Sequence, residues 1–160
     1  MQTNEAMVRL RYLGYQDAME EAGVECDPRW LNNSTLKMPP SGYRDWGYQV
    51  MSDWLAADWR DLGCTALFVQ NDVAAMGVIE ALQHAGISVP GDVSIISFDG
   101  TDVCDYFNPR ITAIQVPLHQ MGVNAAEALI QQINGIEVKE ATLMLPTRLK
   151  PGGSTAPLAT

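Results

Sequence analysis

Apolar residues in this chain fall into short unbroken runs, separated by longer stretches in which they recur every three or four positions. The runs TALFVQ (65–70), VSIISF (93–98) and ITAIQV (111–116) are continuous rather than alternating. That pattern predicts strands covered on both faces, as in parallel sheets with helical crossovers. Four stretches read as helices. The first covers 5–21, with Met7, Leu10, Gly14, Ala18 and Glu21 near one face and Gly23 as the stop. The second covers 44–62, carries Trp46, Trp54 and Trp59, and ends at Gly63. The third covers 73–85, with Asp72 as the expected N-cap and Gly86 at the end; the fourth covers 117–135 and closes at Gly135. Residues 24–42, rich in Pro, Asn and Ser, read as a long loop holding one short strand, and a last strand is expected within ATLMLPTRL (141–149). Residues 151–160 read as a loose tail. Strand and helix alternate throughout, so the predicted fold is α/β, a doubly wound and mainly parallel sheet.

Composition narrows the function classes. With 160 residues, 47% hydrophobic and 18% charged, the chain is long enough for a globular domain with a real core. No apolar run reaches the roughly 18 residues of a membrane span, and the opening MQTNEAMVRLRYLGY lacks the apolar region of a secretory signal, so a cytoplasmic location is expected. The net charge of -9 repels phosphate backbones and leaves no basic stripe, so this chain by itself is not expected to bind DNA or RNA. Cys26, Cys64 and Cys104 are odd in number and far apart, which indicates neither a disulfide framework nor a zinc site; the sequons in NNST read as chance. GxxxxGK[ST], GxGxxG, GxSxG and HExxH are all missing, so no enzyme and no cofactor is expected. His84 and His119 read as surface or interface groups.

Ligands of open α/β sheets bind beyond the carboxyl ends of the strands. Asn71 follows the run 65–70 and Asp99 follows the run 93–98, so neighbouring strands would aim an amide and a carboxylate into one crevice. That pair suits a ligand rich in hydroxyl groups. The plainer alternative is that Asn71 shapes a turn and Asp99 caps one. Arg11 lies in the first helix beside Leu10 and Leu13, where spacing alone does not separate a solvated arginine from a ligand group. The stretch 73–82 carries a single charge, Glu80, so this helix should be covered on two sides: by the sheet, and either by a second subunit or by the rest of the domain.

Three blocks, RLRYLGYQDAMEEAG (9–23), ALFVQNDVAAMGVIEALQHAGISVPGDVSIISFDG (66–100) and NPRITAIQVPLHQMGVNAAEALI (108–130), resemble in order and spacing the effector-binding core of the lactose and galactose repressor (LacI/GalR) family of bacterial transcription regulators. The resemblance implies a fold like that of type I periplasmic binding proteins, in which two α/β lobes close over a sugar, nucleoside or related small molecule. It implies that Asn71, Asp99 and Arg11 contact the effector and that Asp72 caps the next helix. It places the dimer interface at Val73, Ala74, Gly77, Val78 and Ala81, with Tyr106 and Phe107. The implied function is effector sensing and dimerisation within a regulator. Operator DNA would be bound only through a head domain absent from this chain. A sugar-binding transport component of the same fold, or an enzyme using Asp99 as a base, are the alternatives.

The chain departs from the family's pattern in three places. Gly100 stands where the family commonly has a second acidic or amide residue. The segment 31–46 is longer than usual, leaving Tyr43 and Trp46 as candidates for the stacking aromatic. The family's head, hinge, most of the first lobe and first strand of the second lobe are not matched. The implied division is a partial C-terminal lobe (1–110), a crossing strand and helix (111–137), a returning strand (138–150) and the tail. The crossing helix would leave Ile114, Met121, Leu129 and Ile133 without their usual cover, so the chain is expected either to self-associate or to be part of a longer regulator.

Overall fold

The computed structural model of the chain describes residues 2–31, 39–57, 59–136 and 142–157, with side chains from residue 9 onward. One sheet runs β1 (Ala66–Val69), β2 (Ser94–Asp99), β3 (Thr112–Gln115), β4 (Arg148–Lys150). The first three strands are parallel and β4 is antiparallel to β3. Around them lie α1 (Gln2–Glu21), α2 (Tyr43–Ala56), α3 (Asp72–His84), α4 (Val103–Tyr106) and α5 (Leu118–Ile133). The mainly parallel α/β class read from the apolar runs is therefore the observed one.

Boundaries differ in informative ways. The expected helix 44–62 is broken: α2 stops at Ala56, and Trp59–Leu62 forms a single tight turn that buries Trp59 and Leu62. The last strand is only Arg148–Lys150, and residues 142–147 have no regular structure. The described residues of 24–42 hold the tight turn Pro28–Trp30 and none of the expected strand; residues 32–38, like Ala141, lie outside the described residues.

The core sits between the sheet and the α2–α3 pair. Met51, Ile79, Leu82, Ile95, Ile111 and Ala113 are all essentially inaccessible. Each large apolar side chain buried this way contributes about 1.5–3 kcal/mol. α2 lies directly on α3, because Gly47 and Gly77 let the two backbones touch: a Cβ on Gly77 would fall 1.9 Å from the Arg44 carbonyl oxygen, and one on Gly47 would fall 2.2 Å from that of Ala74. Around this crossing Arg44 pairs with Glu80, and the Tyr48 hydroxyl meets His84 Nδ1 at 3.0 Å.

Of the residues expected at a dimer interface on α3, Ala74, Gly77, Val78 and Ala81 are buried within one chain, with α2 against Ala74 and Gly77. Of the same group, Val73 and Tyr106 are exposed, and Phe107 packs half-buried against the core.

The inward face of α1 also differs from expectation. Leu10, Gly14 and Ala18 face solvent, whereas Arg11, Tyr15 and Met19, four residues apart, turn inward. They line a groove of about 620 Å³ that follows β1 along its length, closed on the other side by Trp30, Trp46 and Trp54. β1 is an edge strand of the sheet, and its Phe68 is 45% exposed. α5 has no buried residue; Met121, Leu129 and Ile133 are exposed and Ile114 is half-buried, the uncovered face that was expected.

Residues 151–157 are not a loose tail. Ser154 is fully buried; its Oγ donates to the Ile95 carbonyl (2.6 Å) and accepts from the Thr112 amide (2.8 Å). The Ile95 amide donates to the Ser154 carbonyl, and Gly153 donates to Arg110. A Cβ on Gly152 would lie 2.5 Å from the Arg110 carbonyl oxygen, so only glycine lets the segment approach this closely. The composition looks loose, but the backbone is stitched across the starts of β2 and β3.

Candidate functional site

The carboxyl ends of β1 and β2 are adjacent, with Val69 beside Ser97 in the parallel register. Beyond β1 the chain is extended at Asn71 and then enters α3. Asn71 Oδ1 accepts from the Ala74 amide at 2.8 Å, so Asn71, not Asp72, is the N-cap. The amide oxygen is thus spent on the helix, and its NH2 is the part left for a ligand.

Asp72 points the other way, into the protein, at 2% exposure. One carboxylate oxygen accepts from Ser97 Oγ (2.5 Å) and the Gly100 amide (3.3 Å); the other accepts from the Thr101 amide and Oγ1, both at 2.7 Å. Burial pushes its pKa up, but the hydrogen bonds from Ser97 and Thr101 outweigh burial and hold it below the ordinary carboxylate value. The stability this group contributes is present above the ordinary value of 3.8 and is lost as pH falls through its lower folded value.

Asp99 ends β2 with φ +108, a backbone conformation costly for any residue with a Cβ. Its carbonyl accepts from the Val116 amide at 3.0 Å. Burial, with the nearby charge of Asp72, raises its pKa, and Arg11 opposes the rise. The Arg11 guanidinium lies 3.8 Å from the centroid of the Phe98 ring, and its Nη1 donates to the Gln70 carbonyl at 2.7 Å. Such a cation–ring contact contributes about 0.5–2 kcal/mol and fixes the guanidinium plane. The fold thus places Arg11 over the same strand ends that carry Asn71 and Asp99.

Gly100 follows at φ +67, and a Cβ there would lie 2.6 Å from Cα of Gln115. No side chain fits, so the polar group absent at this position cannot be restored by substitution without moving β3. Gln115 stands opposite Asp99 in the register, and its Nε2 reaches toward the Gly100 carbonyl at 3.5 Å. Trp46 lines the β1 groove and packs against the core, and Tyr43 is exposed at the start of α2. The groove touches the crevice through Arg11 and Gln70 but is lined by neither Asn71 nor Asp99, so we take the crevice, where the polar groups converge, as the site.

Other chemistry is sparse. No group of three or more potential metal ligands occurs among the described residues. Cys104 is buried, with burial pushing its pKa up to about 12, which makes it a packing residue rather than a reactive thiol. Sequence reasoning missed Ser97, Thr101, Phe98 and Gln115. Only Thr101, just after Asp99–Gly100, had a local signal, as a hydroxyl in a turn.

Residues 2–155 match the model of the periplasmic binding protein-like domain. The chain belongs to that family. Within it, the chain is 32% identical over 127 residues to the HTH-type transcriptional repressor PurR of Vibrio vulnificus, covering 79% of this chain and 35% of the relative. It is 32% identical over 139 residues to the HTH-type transcriptional regulator RegA of Clostridium saccharobutylicum, covering 87% and 39%. Among solved structures it is similar to the transcription regulator CcpA of Lactococcus lactis (TM-score 0.76, 27% identity, 91% of this chain and 50% of that one). It is also similar to a LacI family regulator of Enterococcus faecium solved with bound ribose (TM-score 0.60, 34% identity, 72% and 41%). The relatives of this periplasmic binding protein-like chain are LacI-type transcription regulators, as its three sequence blocks implied. The chain spans between a third and two fifths of the length of these curated relatives. No described helix is long and apolar enough to cross a membrane.

Proposed function

We propose that this chain is the small-molecule-sensing part of a LacI-type transcription regulator and that its ligand is a sugar or related polyhydroxylated compound, held by Arg11, Asn71 and Asp99. The observation that carries this reading is the convergence of Arg11 on the strand ends that bear Asn71 and Asp99. A guanidinium and an amide NH2 donate, a carboxylate accepts, and vicinal hydroxyls do both. The ribose bound by the Enterococcus faecium relative supports a ligand of that class. In the intact regulator, a cytoplasmic homodimer, the ligand favours one lobe arrangement. Its differential affinity then shifts the population of operator-binding dimers, typically with about 1–3 kcal/mol of coupling. Within this chain Val73 and Tyr106 remain exposed for the dimer contact.

A thermal-shift screen of the chain against pentoses, hexoses, disaccharides, nucleosides and purines tests the reading, with Asp99→Ala alongside. One class should raise the melting temperature by roughly 5–10 °C at a hundredfold excess over Kd, and the shift should vanish in Asp99→Ala. No shift with any compound would sink the reading, and a shift retained in Asp99→Ala would move the site elsewhere. Asp99→Asn without ligand should melt no lower than the native chain at pH 7. The raised pKa means that ionised Asp99 opposes folding above its ordinary pKa, and that the penalty is relieved as pH falls through the folded value. The gain should therefore disappear in acid.

A further inference from the structure

We propose that Asp72 is a positioning residue of the crevice: from the interior, its carboxylate grips the backbone and hydroxyls on both sides of Asp99 and so fixes the direction in which Asp99 points. The proposal rests on the sensing function given above, but its structural content does not depend on any ligand. At 2% exposure Asp72 cannot touch a ligand itself. Its helix-capping role is already filled by Asn71. What it does instead is accept four hydrogen bonds, from Ser97 two residues before Asp99 and from Gly100 and Thr101 immediately after it.

Asp99 lies inside this clamp in an unfavourable conformation, at φ +108. Such a residue persists only when its surroundings over-determine it. The two-residue stretch after Asp99 supplies part of that constraint, because Gly100 at φ +67 is pressed against Cα of Gln115. The Asp72 carboxylate supplies the rest. Bonds to a carboxylate are about twice as strong as bonds between neutral groups, and these are shielded from water. Because Asp72 is the neighbour of Asn71, the same clamp ties the start of α3 to the end of β2, so Asn71 and Asp99 are held as one rigid pair. The charged groups facing Asp99 are Asp72 from the interior and Arg11 from α1, the first raising and the second lowering its proton affinity.

Nuclear magnetic resonance on the ligand-free chain tests this, following the Asp99 carboxyl carbon through a pH titration and the amides of Gly100 and Thr101 by hydrogen exchange. Asp72→Asn should lower the Asp99 pKa, shift its backbone carbons toward ordinary strand values and speed exchange at Thr101. Thr101→Val removes one of the four bonds while keeping the Asp72 charge, and should move the Asp99 backbone shifts in the same direction and speed exchange at the Gly100 amide. A residue that merely stabilises the fold would lower the melting temperature and leave these local signals in place. If Asp72→Asn does not fold, Thr101→Val decides. Unchanged Asp99 backbone shifts in a folded variant would overturn the proposal. A failed ligand screen would leave these signals untouched and would count against the sensing function alone.

Discussion

Gly77→Ala should lower the melting temperature by roughly 2–8 °C, the shift that a net loss of about 1–2 kcal/mol produces in a chain of this size. A Cβ at this position would meet the Arg44 carbonyl oxygen at 1.9 Å and the Tyr48 amide nitrogen at 2.7 Å. Both are backbone atoms inside α2, so no side chain can swing aside; the helices must separate. Separation would open the contact that covers Ala74, Val78 and Ala81 and would strain the Arg44–Glu80 pair. Overpacking of this kind costs about 1–3 kcal/mol and occasionally more, against about 1 kcal/mol gained from alanine's better helix propensity. Gly122→Ala is the control. It sits in α5 with nothing near its Cβ, so the same substitution should stabilise by up to about 1 kcal/mol. Thermal unfolding of both variants, followed by circular dichroism, checks the contrast. Equal effects would mean that α2 and α3 are not in backbone contact.

Ser154→Ala should cost about 2–4 kcal/mol, an unusual amount for one hydroxyl in a terminal segment. Removing Oγ strands the Thr112 amide without its acceptor and the Ile95 carbonyl without that donor, in a place water does not reach. Each buried group left unsatisfied costs about 1–3 kcal/mol. Denaturant titration measures the loss, and a change below about 0.5 kcal/mol, the usual scatter of surface substitutions, would return residues 151–157 to the status of a tail.

The parts of the fold that the sequence made legible are those where burial leaves a pattern. The runs 65–70, 93–98 and 111–116 became three parallel strands because strands covered on both faces have no polar phase to alternate with. Elsewhere two structures leave the same pattern. An apolar α3 reads alike whether α2 or another subunit covers it, and the close approaches at Gly47 and Gly77 involve residues with no side chains to declare them. The inward face of α1 is Arg11, Tyr15 and Met19, which pack through their stems and rings and so do not register as an apolar stripe. Asn71 and Asp72 both suit a helix start, and only the position of Ser97 and Thr101 in space decides which one caps and which one turns inward. For the site, strand-end logic led to Asn71 and Asp99, and the family resemblance drew in Arg11. The supporting residues Ser97, Thr101 and Gln115 come from separate segments and carried no joint signal.

The open edge of β1 bears on how the chain behaves as a material. Among the described residues β1 has no strand on its outer side, where a half-exposed Phe68 stands beside the groove, and an edge of this kind is a template for pairing with another chain. Molecules meeting at high concentration can zip together there, so loss to precipitate should be second order in protein. A lysine in place of Phe68 would be the first substitution to try for a better-behaved sample.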